Sequence, residues 1–238
     1  MSLAISDHDL LDAWTASRDG ESGEWLDDLV ARADPDARRE DVAGWSLARR
    51  SGALLELRIS RWGEELEGVV ACPRCEGELE LSLDLAEVAG EQRQETDLEV
   101  AVGDGCLRFR LPTRLDLDAV LSVSEPGEAR RALAERCLLA APQDLTRLTD
   151  GAVAAISERM GQADATGALD LAASCPECGH EWDEPLDVAD FVAGEIASAA
   201  RGLAAEVHAL ATAYGWSEEE ILTLPAARRR MYLELVDA

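Results

Sequence analysis

Lysine and asparagine are both missing from the 238 residues, so all 22 basic side chains are arginine. Set against 49 acidic residues, they leave a formal charge of −27. No basic patch capable of holding phosphate is visible. That argues against nucleic acid as a partner, because affinity for a polyanion rests on neutralising its phosphates. Anionic membrane surfaces are disfavoured on the same ground. No stretch approaches the roughly 20 consecutive apolar residues of a membrane-spanning helix. The first residues, MSLAISDH, lack the basic start and long apolar run of a signal peptide. The expected location is therefore the cytoplasm. Aromatics are scarce at 4%, but 47% hydrophobic content, much of it Ala, points to a folded chain with small-residue helix contacts rather than to disorder. Nothing resembles a nucleophile elbow, a P-loop or a dinucleotide fingerprint. With three histidines and no catalytic constellation, the chain reads as a non-enzyme.

What is present begins with helical periodicity. Leu10, Leu11 and Trp14 share one face, and Trp25, Leu26, Leu29 and Val30 share another. Pro35 punctuates, and 36–50 has room for a third helix. Residues 54–62 (LLELRISRW) and 66–71 (LEGVVA) read as strands around a turn at Gly63. In 78–88, Leu79, Leu81, Leu83 and Leu85 alternate with the period of a half-buried strand. A polar linker, 91–96, leads to a hairpin in which 98–102 and 107–111 alternate around Gly103-Asp104-Gly105. From 116 to about 161 the pattern is helical again, broken at Pro126, Gly127 and Pro142, with Ala132, Leu133, Cys137 and Leu138 on one face. Residues 169–173 form a short strand. From 187 to 213, Val188, Val192, Ile196, Ala199, Leu203, Val207 and Leu210 keep to one face of a long helix.

Six cysteines occur, and in a reducing compartment paired cysteines are read as metal ligands or redox catalysts before disulfides. Cys72-Pro73-Arg74-Cys75 and Cys175-Pro176-Glu177-Cys178 repeat at an offset of 103. The same offset aligns Glu78 with Glu181, Leu83 with Leu186, Asp84 with Asp187 and Ala86 with Ala189. Glu87 with Asp190 and Val88 with Phe191 are conservative pairs. Two CxxC knuckles brought face to face make a tetrahedral four-cysteine zinc site of the zinc-ribbon kind. The 99 residues between the pairs far exceed the roughly 15–20 of ordinary ribbons, so the middle of the chain is an insertion into one metal site. CPxC is also a redox motif, but there the first cysteine sits at a helix N-terminus. Here a strand follows and the motif occurs twice. Four cysteines leave no open position for an activated water, which argues for a structural ion. His180, two residues past Cys178, is a possible replacement ligand, with a surface His beside the knuckle the plainer reading. Cys106 and Cys137 lie on apolar faces and read as buried free thiols.

The C-terminus carries three agreeing local signals. Gly215 suits a left-handed helix cap, and Ser217 with Glu220 forms a capping box. Trp216 and Ile221 have the spacing of a hydrophobic staple, and Pro225 opens a last helix. The string 205–225 (AEVHALATAYGWSEEEILTLP), running on through Arg228-Arg229-Arg230-Met231-Tyr232-Leu233, resembles the end of baseplate-associated proteins of contractile-tailed bacteriophages and phage-tail-like contractile injection systems. The resemblance extends to both CPxC units and to 54–75, about half the chain. It implies a non-enzymatic assembly factor or structural piece of a baseplate, with Tyr214, Trp216, Ser217 and Ile221 as fold-defining positions.

The expected fold class is α+β: helical N- and C-terminal segments around a split, four-cysteine, zinc-ribbon-like β core, with a hairpin-plus-helices insertion between the knuckles. The division is an acidic helical segment (1–53), a first knuckle half (54–90), an insertion (91–164), a second knuckle half (165–190) and a C-terminal helix–turn–helix (191–238). One structural zinc is expected on Cys72, Cys75, Cys175 and Cys178. Expected partners are proteins with basic surfaces, baseplate or tail components among them. Trp14 and Trp25, and the Arg228–Arg229–Arg230 triplet, are candidate docking residues. For the tryptophans packing onto the chain's own core is the simpler reading, and for the arginines intramolecular pairing with carboxylates is. A generic zinc-ribbon adaptor and a thiol–disulfide oxidoreductase are the alternatives.

Overall fold

The computed structural model describes residues 3–19, 23–86, 97–102, 105–141, 147–163 and 169–236. The 91–96 linker, the Gly103-Asp104 turn, Pro142, and Glu87 and Val88 lie outside them. Chain order gives α1 (Asp7–Asp19), α2 (Glu24–Ala33), α3 (Arg39–Ala43), α4 (Leu47–Trp62), β1 (Glu65–Ala71), β2 (Glu78–Asp84), β3 (Leu98–Val102), β4 (Gly105–Phe109), α5 (Arg114–Val120), α6 (Pro126–Cys137), β5 (Leu138–Ala140), α7 (Asp150–Ala163), β6 (Leu169–Ser174), β7 (Glu181–Leu186), α8 (Val188–Tyr214), α9 (Glu218–Leu222) and α10 (Ala226–Val236). This is a mixed helix-and-sheet chain with small antiparallel sheets: β1–β2, β3–β4–β5 and β6–β7. Among the described residues no helix is long and apolar enough to cross a membrane.

Two apolar cores organise these elements. The first joins Leu10, Leu26, Leu29, Val30, Leu54, Leu55 and Leu57 to Leu66, Leu85 and the α8 residues Val188, Val192, Ile196 and Ala200. Fully burying each of the larger side chains stabilises the fold by about 1.5–3 kcal/mol. The second lies inside the insertion and gathers Leu98, Leu107, Phe109, Leu111, Ala134, Leu148, Ala152, Val153 and Ile156. The cores are tied by charge. Asp27, fully buried, accepts hydrogen bonds from Arg50 Nε (2.6 Å) and Arg114 Nε (2.9 Å), joining α2, α4 and α5. The Leu47 amide also donates to the Pro112 carbonyl at 2.9 Å.

Residues 54–62, read above as a strand, are the second half of α4. Ser46 caps that helix by accepting from the Arg49 amide, and Gly63 ends it with φ +95°. Leu54, Leu55, Leu57 and Arg58 are all buried, a helical rather than an alternating pattern. Arg58 explains the mixed composition: its guanidinium is buried but reaches Glu195 on α8 (3.0 and 3.2 Å) and the Gly63 carbonyl (2.5 Å). The 53/54 boundary therefore falls inside one helix. Residues 138–140, read as the end of a helix, are instead β5, paired to β4.

The C-terminal signals form as their chemistry requires. Asp187 caps α8, accepting from the Asp190 amide at 3.0 Å. Gly215 has φ +71° and donates back to the Ala211 carbonyl. Ser217 and Glu220 form the reciprocal capping box. Trp216 stacks on Tyr214 at 4.7 Å and meets Tyr232 edge-on at 4.9 Å, so α10 folds back beside the end of α8.

Candidate metal centre

Each CPxC unit is the turn of its own hairpin, and the two hairpins are built alike. β1–β2 pairs Leu66 with Leu83 through to Ala71 with Glu78. β6–β7 pairs Leu169 with Leu186 through to Ser174 with Glu181, each pair displaced by the same 103 residues. The turns match as well. The Cys72 amide donates to the Gly77 carbonyl and the Glu76 amide to the Cys72 carbonyl, both at 2.9 Å. In the second turn the Cys175 amide donates to His180 (2.9 Å) and Gly179 to Cys175 (3.0 Å). At the one position needing a left-handed backbone, the first turn has Glu76 (φ +60°) and the second has Gly179 (φ +68°).

The four sulfurs of Cys72, Cys75, Cys175 and Cys178 all lie within 4.8 Å of one another. Cys72 Sγ is 3.7 Å from Cys178 Sγ, and Cys75 Sγ is 3.6 Å from Cys175 Sγ. The 103-residue correspondence exchanges these two contacts, so the cluster has a local pseudo-two-fold symmetry. A tetrahedron with metal–sulfur bonds of about 2.3 Å has edges of about 3.8 Å, whereas a disulfide requires about 2.05 Å. The donor set therefore fits a four-coordinate metal ion and not a pair of disulfides. Four-sulfur tetrahedra serve zinc and iron–sulfur centres alike, so the geometry assigns the donors and leaves the ion to chemistry.

Electrostatics point the same way. Burial pushes the Cys72 thiol up, but the Arg74 and Cys75 amides and the sulfurs of Cys178 and Cys75 outweigh it and bring it down to about 7. The Gly77 amide draws the Cys75 thiol down, yet the Cys178 and Cys175 sulfurs, burial and Cys72 push it up to about 12. One thiolate is favoured and a second is resisted. A cation at the centre would relieve that resistance. Cys72 and Cys175 are buried, Cys178 is half-buried and Cys75 exposed. Glu177 of the second knuckle leans over Gly77 of the first, where a Cβ would lie 2.6 Å from its carboxylate.

The remaining candidate residues separate clearly. His180 is not among the four clustered ligands; its ring stacks on Trp182 at 5.9 Å. Cys137 is buried as expected, and burial pushes its thiol up to about 11, which makes it a poor nucleophile. Cys106 is not buried: it is exposed on β4, because only Leu107 and Phe109 of that strand face the second core. Trp14 and Trp25 are half-buried against the first core, with the Arg18 guanidinium 5.2 Å over the Trp14 ring. Arg229 is buried, donating to Glu206 (3.0 Å), the Leu224 carbonyl (2.8 Å) and Asp7 (2.7 Å), which removes it from any docking surface. Arg228 and Arg230 are exposed.

Among known protein families, curated proteins and solved structures, none matches this chain. The reading of the site rests on its own geometry. Sequence reasoning missed the buried ionic hubs at Asp27, Arg58 and Asp116, since no spacing rule distinguishes them among so many charged residues. Glu76 was detectable: the 103-residue offset sets it opposite Gly179, a glycine at a turn.

Proposed function

We propose that this chain is a non-enzymatic, zinc-stapled structural or assembly protein of a phage-like contractile tail or injection-system baseplate. The observation that carries the structural half is the cluster of four sulfurs at tetrahedral spacing, which supports a closed site without a position for substrate or activated water. In this reading two zinc-ribbon-like half-sites, far apart in sequence, share one zinc and clip the chain around the insertion. The tail assignment is supported by the resemblance of 205–233 and of the CPxC units to baseplate-associated proteins. The charge of −27 suits a partner with a basic surface.

A generic zinc-ribbon adaptor shares every physical feature of this account except the tail. Tagged protein recovered from its native host under crosslinking distinguishes them. The tail reading expects identified sheath, tube or baseplate proteins to co-purify. Their absence from cells actively assembling tails contradicts it. A CPxC oxidoreductase has less support, because Cys75 leads into β2 rather than into a helix.

A further inference from the structure

The ends of α4 and α10 leave a cleft of about 330 Å³ against α1 and α8. Its floor is apolar: Leu10 and Leu203 are buried, with Gly202 and Ala226 alongside. Arg61 and Arg230 stand at its rim with one carboxylate, Glu206, and the buried, fully paired Arg229 lies beneath them. Glu206 accepts from Arg229, and Asp7 takes hydrogen bonds from both Arg229 and Arg61. Arg230 has no ion-pair partner among the described residues. Three guanidinium groups thus meet two carboxylates, a local positive surplus on a chain of charge −27.

Gly202 adds a steric observation. A glycine within a helix costs about 1 kcal/mol relative to alanine. Yet a Cβ at Gly202 would meet nothing within 4 Å, so close packing does not demand the glycine. A side chain there would occupy the cleft instead. Gly194 on the same helix is equally open, so the cleft and its charges carry the argument.

We propose that this cleft docks an acidic segment of a partner protein. An aliphatic side chain of the segment rests on the Leu10–Leu203 floor, and a neighbouring carboxylate takes the Arg230 guanidinium. Arginine suits this role because its planar fork matches a carboxylate at two points. An apolar floor with one well-placed charged group is the usual composition of a small recognition pocket. The net charge does not forbid an acidic partner, since charges more than about 8 Å apart are largely screened at physiological salt. None of its lining residues is one of the four cysteines, and the proposal does not depend on the metal reading.

The test uses the full-length ¹⁵N-labelled protein, titrated with acetyl-Leu-Glu-Glu-amide and, separately, acetyl-Leu-Lys-Lys-amide. Saturable shifts of the Gly202, Leu203 and Ala226 amides with the acidic peptide alone are expected, at millimolar affinity or better. Gly202→Leu, which fills the cleft and favours the helix, and Arg230→Glu, at an exposed position, should each weaken binding about tenfold or more. No saturable shift, an equal response to the lysine peptide, or unchanged binding in Arg230→Glu overturns the proposal. A wild type that sediments as a dimer while Gly202→Leu is monomeric gives the cleft to a second copy, and overturns it too.

Discussion

Arg229 and Asp116 show how an acidic chain without lysine holds together. Arg229 draws Asp7 of α1, Glu206 of α8 and the Leu224 carbonyl to one buried guanidinium. Arg229→Ala leaves Glu206 without its partner and Asp7 with Arg61 alone, and should cost roughly 2–4 kcal/mol in urea unfolding. Arg228→Ala, on the exposed face, should stay within about 0.5 kcal/mol of wild type. Asp116, 3% exposed, accepts from Arg110, Arg136 and both the amide and hydroxyl of Thr113. Burial raises its carboxyl, and Arg110 and Thr113 outweigh that to hold it at about 2. Its folded pKa lies below the unfolded value of about 4, so the stability it contributes, about 2 kcal/mol, is full above pH 4. That contribution is lost as pH falls through about 2. Asp116→Asn should remove this part of the acid dependence and lower stability near neutrality, which unfolding midpoints across pH will show.

At the scale of elements, the duplicated hairpin supplies its own controls. Glu76 and Gly179 occupy the same left-handed turn position, where any side chain is strained. Glu76→Gly should stabilise the first knuckle by about 0.5–1 kcal/mol, and Gly179→Glu should destabilise the second by about 1 kcal/mol. The concentration of chelator needed to strip the metal should rise for the first variant and fall for the second. The hairpins were legible from sequence because CPxC fixes the turn and alternation fixes the strands, as with Leu79, Leu81 and Leu83. The long helix was legible from its seven apolar positions, spaced three or four residues apart. Residues 54–62 were not, because Arg58 and Glu56 interrupt the leucines and the partner of Arg58, Glu195, is 137 residues away. Cys106 failed for a related reason: alternation identifies a strand's two faces, but only the fold decides which one is covered.

For the whole molecule, the consequence of two cores is that a metal ion held by the four cysteines would clip units of unequal independence. A cross-link closing a loop of about 100 residues is worth roughly 4–5 kcal/mol by chain entropy, so stripping the ion should lower the melting temperature markedly. A lone two-stranded hairpin is marginal in water, whereas the insertion has a core of its own around Phe109 and Ile156. Hydrogen exchange after chelation should therefore show β1–β2 and β6–β7 losing protection first, while β3, β4 and α7 retain theirs. Simultaneous loss across all of these elements would mean that the insertion has no independent stability.

The central claim, one zinc closed in by four cysteines, is tested most directly by elemental analysis of protein purified under reducing conditions. About one zinc per chain is expected, with none retained by Cys72→Ser/Cys175→Ser. Metal-free wild-type protein carrying a readily reducible CPxC disulfide, or full zinc in the double variant, would contradict it.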